Sequence, residues 1–219
     1  NPLTWGEPPM NKFITFEGVE GSGKSTQVKL LGEYLTRNNI PVLLMQEPSG
    51  TPIGRKIGEI LFNRGHQAMC PETELFLFCA ARAQHVAQVI RPALETGKII
   101  LSDRFIDSPL AYQGVGRGLG IGNIFDINCF ATGGIMPDKT FFLDYPPDLA
   151  FSRMSKRREH DRLEKEEMAF HQTLYNGFIA LSDLYPNRVI RVNAQGTKYE
   201  TSDKIKAMMD QILKERKHA

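Results

Sequence analysis

The run Gly18-Val19-Glu20-Gly21-Ser22-Gly23-Lys24-Ser25 constrains this chain more than any other stretch. It fits G-x-x-x-x-G-K-[ST], a loop that cradles phosphates. Such a loop works only between a strand and a helix, and the flanks supply both. Phe13-Ile14-Thr15-Phe16 is an apolar run of strand length, and Thr26-Gln27-Val28-Lys29-Leu30-Leu31 opens an amphipathic helical pattern. A strand feeding a glycine-rich turn into a helix aims backbone N–H groups, and the positive end of the helix dipole, at one point. Gly18 through Thr26 are therefore expected to hold the phosphates of a nucleotide such as ATP. Lys24 would reach the outer phosphates, and the Ser25 hydroxyl would ligate Mg²⁺.

The rest of the chain continues the alternation. Val42–Met45, Ile99–Leu101, Thr140–Leu143 and Val189–Val192 are further short apolar runs. Helices are expected up to about Arg37, through Leu61, from Pro71 to about Leu94, from Pro147 through about Met154 into the basic segment, from about Lys165 to Leu184, and over Tyr199–Lys217. Glycine-broken helical stretches lie around Gly114–Gly122. This order predicts an α/β fold, a five-stranded parallel sheet flanked by helices on both faces. Ligands bind such sheets at the C-terminal ends of the strands, so Glu17, Glu47, Asp103 and Asp144 should share one rim.

The length of 219 residues suits a single domain, assigned to residues 10–219. Residues 1–9 are proline-rich and aperiodic, and read as a disordered leader or remnant ahead of Met10. A net charge of +2 implies no nucleic-acid partner. No apolar run reaches membrane-span length. Cys70, Cys79 and Cys129 lack metal-ligand spacing, and their odd number argues for a reducing, cytoplasmic setting. None of the five histidines stands in a catalytic or metal-binding pattern.

Phosphoryl transfer needs positive charge and a metal around the migrating group. Asp103 follows an apolar strand and can hold Mg²⁺ opposite Ser25, while its neighbour Arg104 can bind a second phosphate. Arg153, Lys156, Arg157, Arg158 and Arg162 crowd one segment interrupted by Glu159-His160-Asp161. A solvated helix face is the plainer alternative for a charge run. Arginine outnumbers lysine here, and its fork suits phosphate, so a mobile lid over about 153–164 is expected. Phe78 and Arg82 are four apart on one helical face, able to stack on and hydrogen-bond a base, or simply to be a core ring and a surface charge. Tyr112-Gln113 is similarly ambiguous alone.

Together these pieces resemble the thymidylate kinases, specifically the bacterial type. The resemblance rests on Phe16-Glu17-Gly18 through Thr26, Glu47-Pro48 with Gly50-Thr51, and Phe78 with Ala80-Ala81-Arg82. It continues through Asp103-Arg104-Phe105, Ala111-Tyr112-Gln113-Gly114, Pro137-Asp138 leading to Leu143-Asp144, and Asp161-Arg162-Leu163-Glu164. It implies a P-loop nucleoside-monophosphate-kinase-like three-layer fold, a homodimer, and ATP-dependent phosphorylation of dTMP to dTDP. It also implies that Phe78 stacks on thymine, Arg82 bonds its edge, and Arg104 grips the dTMP phosphate. Tyr112 would sit against the sugar and Gln113 near the base. Glu20 would lie near the acceptor phosphate, with Pro48 on the acceptor side. Because Gly21 stands where some members carry a loop arginine, Arg153, Arg157 and Arg162 would supply the lid charge, joining Lys24 and Arg104 as the catalytic set. Asn193-Ala194 would border adenine. Gln46, Ser49 and Pro109 depart from the family pattern on the acceptor side. A kinase for another small acceptor, or a nucleotide-dependent switch or ATPase, are the other readings.

Overall fold

The computed structural model describes residues 12–154, 162–164 and 166–214. The expected leader at 1–9, Arg157 and the chain beyond 214 lie outside the described residues. In chain order the elements are β1 (Phe13–Glu17), α1 (Lys24–Arg37), β2 (Val42–Gln46), α2 (Pro52–Leu61), α3 (Pro71–His85), α4 (Arg91–Glu95) and β3 (Ile99–Asp103). Then follow α5 (Asp107–Pro109), α6 (Ile121–Thr132), β4 (Lys139–Asp144), α7 (Pro147–Met154), α8 (Met168–Leu184), β5 (Val189–Asn193) and α9 (Lys198–Lys214). All five strands are parallel, in the order β2-β3-β1-β4-β5.

β1 and β3 are buried at every position because helices cover both sheet faces. Ile14, Phe16, Ile99 and Leu101 pack with Val28, Leu31 and Leu35 of α1 and with Ile205 and Met209 of α9. The alternate residues Phe13 and Ile100 meet Val86, Ile90, Ala93, Phe105 and Ile106 on the other face. Burying each of the larger of these side chains contributes about 1.5–3 kcal/mol. Thr51 caps α2 by accepting the Gly54 N–H at 2.9 Å, with Pro52 preset in the first turn.

The long helix expected from Pro71 to Leu94 is not a single α-helix. A π-helical turn at Val86–Ile90 separates α3 from α4. Pro92 sits in the first turn of α4 and has no N–H to donate backwards, so the helix changes register just ahead of it. A second π-helical stretch, Leu110–Gly116, carries Tyr112 and Gln113 inward behind α5. α8 starts at Met168, three residues later than the pattern suggested.

Beneath the rim lies a polar knot. Arg188 forks onto Asp107 with two 2.6 Å contacts, and Thr140 Oγ1 donates to Asp107 at 2.8 Å. Asp107 is buried, so removing its partner strands a charge. Arg188→Met is expected to lose about 3–5 kcal/mol of folding stability, read from urea denaturation midpoints.

Candidate active site

The phosphate loop is shaped by backbone angles open to glycine. Gly18 has φ 137°, and a Cβ there would stand 2.9 Å from the Leu143 carbonyl oxygen. Gly23, with φ 102°, turns the chain into α1 without a side-chain cap. The first N–H groups of α1 thus stay directed at the loop's concavity. Lys24 is buried and folds back, donating to Val19 O at 2.8 Å and Gly18 O at 3.1 Å. Burial, then Arg104, press its pKa down to about 8 against the pull of Asp103, Glu20 and Glu17. The Ser25 hydroxyl donates to Asp103 Oδ2, so these two oxygens meet where α1 begins beside the end of β3.

Two cavities flank the loop and share Gly21, Lys24 and Ser25. One, of about 750 Å³, runs along Ser22, Gly23, Thr26, Arg153, Ala194 and the start of α9. The other, of about 340 Å³, lies beneath α3 and is walled by Glu20, Pro48, Phe78, Arg82, Arg104, Tyr112 and Gln113. Gln46, Ser49 and Pro109 line it too. Glu17 sits behind this wall, while Glu47 and Asp103 are part of it, as the rim argument anticipated. Asp144 instead pairs with Tyr175 and Arg191.

Between the cavities runs a charged chain. Arg104 has φ 72°, an unusual left-handed backbone for a side chain with a Cβ. Its N–H is held by Phe16 O at 3.0 Å, and the next N–H, of Phe105, by Glu17 Oε1 at 2.7 Å. The guanidinium then reaches Glu20 at 2.8 Å, Ser108 Oγ at 2.9 Å and the Tyr112 hydroxyl at 3.0 Å. Tyr112 also donates to Glu20 Oε1. Burial alone would raise the Glu20 carboxyl, but Arg104 and Lys24 beside it hold it well below the usual range. Burial pushes Tyr112 well above its ordinary value, so it stays a neutral donor.

Arg82 is 2% exposed and largely committed. It pairs with Glu47 at 2.6 Å, donates to Asn128 Oδ1 and reaches Phe105 O at 3.3 Å, leaving Nε without a partner. Phe78 is half-buried and packs edge-on against Phe62, with ring centroids 6.3 Å apart. The lid arginines divide. Arg153 is exposed beside the larger cavity, 4.1 Å over the Tyr145 ring. Arg162 lines neither cavity, because Glu74 and the Leu61 carbonyl hold it.

The thymidylate kinase family pattern matches residues 16–205. The chain belongs to the thymidylate kinase family. It is 45% identical over 206 residues to the thymidylate kinase of Lactobacillus helveticus, covering 93% of this chain and 97% of that one. It is 43% identical over 204 residues to that of Clostridium novyi, covering 91% and 100%. The crystal structure of thymidylate kinase from Ehrlichia chaffeensis superposes with a TM-score of 0.75 at 32% identity, over 92% of this chain and 99% of that one. The fold is accordingly the P-loop nucleoside-monophosphate-kinase type that this family shares.

Several residues at the site carried no signal in the sequence. Ser152, Gly196, Lys198 and Thr201 enter the larger cavity from elements remote in the chain. Ser108 and Glu74 support the smaller one, and His171 lies behind Glu20. His171 Nδ1 stands 3.7 Å from Glu20 Oε2, beyond hydrogen-bond reach. Glu17, which sequence reading placed only on the rim, is buried behind the smaller cavity. It accepts from the Phe105 and Ser108 N–H groups and from Ser108 Oγ. Burial, reinforced by Asp107, pushes its pKa from 4.5 up to about 7. The fold therefore binds this proton more tightly than the unfolded chain does. Its stabilising share is complete below about pH 4.5 and lost as the pH rises through about 7. Glu17→Gln is expected to remove that decline, seen as a flatter dependence of urea midpoints on pH between 4.5 and 7.

Proposed function

We propose that this chain transfers the γ-phosphoryl group of ATP to dTMP, giving dTDP and ADP. The observation that carries this reading is the meeting of two cavities at one phosphate loop, Gly21, Lys24 and Ser25 being common to both. Two nucleotides seated there would present their phosphates to each other, and family membership names the acceptor. ATP would occupy the larger cavity, its phosphates on Gly18–Thr26 and its base near Ala194. In the smaller cavity, dTMP would set thymine against Phe78, Arg82, Gln113 and Pro48. Its sugar would lie against Tyr112, and its phosphate between Arg104 and Glu20.

A dTMP phosphate oxygen, already ionised, attacks the γ-phosphorus in line while the bond to the bridging oxygen breaks and ADP leaves. No general base is required. Lys24 swings from its backbone carbonyls onto the β- and γ-phosphates, and the lid cations Arg153, Arg157 and Arg162 close on the transferring group. For Arg162 this means leaving Glu74. Ser25 and Asp103 supply adjacent hard oxygens, which suits Mg²⁺. Among the described residues no larger cluster of His, Cys, Asp and Glu competes as a metal site. When bound, Mg²⁺ would neutralise charge on the phosphate oxygens.

A homodimer is part of this proposal. Phe76 on α3 and Phe130 on α6 are 59% and 91% exposed, on helices that pack together, and a second copy would cover them. Leu75, next to Phe76 on α3, is buried in the core and is not part of that surface. The cytoplasm suits the three free thiols, and no helix among the described residues is long and apolar enough to cross a membrane.

The test is ADP release from Mg-ATP with dTMP, dUMP, UMP, dCMP, dGMP or thymidine as acceptor. Strong stimulation by dTMP, weaker by dUMP and little by the others is expected, and a flat panel overturns the acceptor assignment. Two variants should separate the roles. Lys24→Met is expected to lose about 10²–10³-fold in kcat. Arg104→Ala is expected to raise the dTMP KM about 10–100-fold, the loss of a charged phosphate contact. Steady-state kinetics with each substrate varied reads both.

A further inference from the structure

Glu74 occupies the inner face of α3, one turn before Phe78, and is 1% exposed. It lines neither cavity, yet its carboxylate gathers donors from two separate parts of the chain. Gln113 Nε2 donates to Oε1 at 2.7 Å. Arg117 reaches both oxygens at 3.4 Å, and Arg162 Nη2 donates to Oε2. Burial would raise the Glu74 pKa, but Gln113, Arg162 and Arg117 together hold it below its ordinary value.

An ionised carboxylate can only accept, whereas a glutamine amide has a donor end and an acceptor end. Gln113 must therefore turn its nitrogen to Glu74 and its carbonyl oxygen away. Gln113 lines the acceptor cavity, and among the described residues no group donates to that oxygen. The base of dTMP is attached to its sugar through N1, so N3–H is its one strong donor. The base of dCMP has a lone pair at N3, and its amino donor lies one ring atom away. An oxygen fixed against N3 pairs with thymine or uracil and faces cytosine acceptor to acceptor.

We propose that Glu74 is a specificity-determining positioning residue: by holding the amide nitrogen of Gln113, it makes that side chain a fixed acceptor that selects bases carrying N3–H over cytosine. This rests on the reading of the smaller cavity as the dTMP pocket. Arg117, also bound to Glu166 at 2.6 Å, keeps the carboxylate charged and in place, and it and Gln113 remain on Glu74 when Arg162 leaves for the transferring group.

The experiment measures kcat/KM for dTMP, dUMP and dCMP in wild type, Glu74→Gln, Gln113→Met and the double variant. An amide at position 74 can present either end to Gln113, so the lock is lost. The dTMP:dCMP preference is expected to fall at least about tenfold in Glu74→Gln, while dTMP:dUMP stays within about twofold, since both bases carry N3–H. In the Gln113→Met background, Glu74→Gln is expected to leave the dTMP:dCMP ratio unchanged. Equal loss toward all three acceptors, or the same ratio change with and without Gln113, overturns the proposal. Wild-type protein inactive toward dTMP but active on another acceptor overturns the pocket reading, and this proposal with it. If Glu74→Gln does not fold, the side-chain amide of Gln113 in ¹⁵N-labelled wild type decides, assigned by its loss in Gln113→Met. Two resolved, slowly exchanging amide hydrogens, with and without dTMP, support the lock; a rapidly exchanging pair overturns it.

Discussion

The pairing of β1 with β3 is the constraint on which the rest of this molecule depends. Phe16 lies opposite Asp103, so the phosphate loop leaving β1 and the Asp103-Arg104 step leaving β3 emerge side by side. Ser25 then meets Asp103, and Arg104 meets Glu20. A register slip of one residue would turn Asp103 to the opposite face and bury the wrong side chains of both strands. The apolar packing on the two sheet faces, Ile14 and Phe16 on one and Phe13 and Ile100 on the other, penalises that slip. Core packing thus positions polar chemistry several ångströms beyond itself.

Charge at the rim is dense and closely compensated. Glu20, Arg104, Lys24, Asp103 and Glu17 share a small volume, and their ionisation is set jointly. Arg104 lowers Lys24 and Glu20 alike, and opposes the burial that raises Glu17. Lys24 rests on the Gly18 and Val19 carbonyls, and Arg104 on Glu20 and Tyr112. Both cations are held by weak or shared partners that an incoming phosphate can outbid. Preorganisation of this kind lowers the reorganisation needed when negative charge arrives.

On the acceptor side the polar groups are supported from behind. Glu47 and Asn128 fix Arg82, Glu74 fixes Gln113, and Glu17 fixes Ser108 and the turn that follows Arg104. Pro109 offers no side-chain hydrogen bond, but its neighbour Ser108 lies in the same wall and holds Arg104. Each supporting carboxylate is buried, and those of Glu17 and Glu74 are multiply bonded, so the cavity wall is rigid where a base is to be read.

The phosphate loop, the five strands and the rim positions were legible in the sequence, because each depends on neighbours within a few residues. Gly18 and Gly23 carry their meaning in their own φ angles, and a continuous apolar run such as Ile99–Leu101 declares a strand buried on both faces. The π-helical turns were not legible, since a helical period does not reveal where Pro92 will force a change of register. Nor was the engagement of particular charges. Arg162 reads as a lid cation, yet its partner Glu74 is 88 positions away; Arg82 reads as a base ligand, yet Asn128 lies 46 positions away. Sequence determined which residue types stand at the rim, because strand, turn and helix signals are local. Tertiary structure alone decided which of them hold one another and which face the cavities, because ion pairs and hydrogen bonds are made by atoms close in space, whatever their separation along the chain.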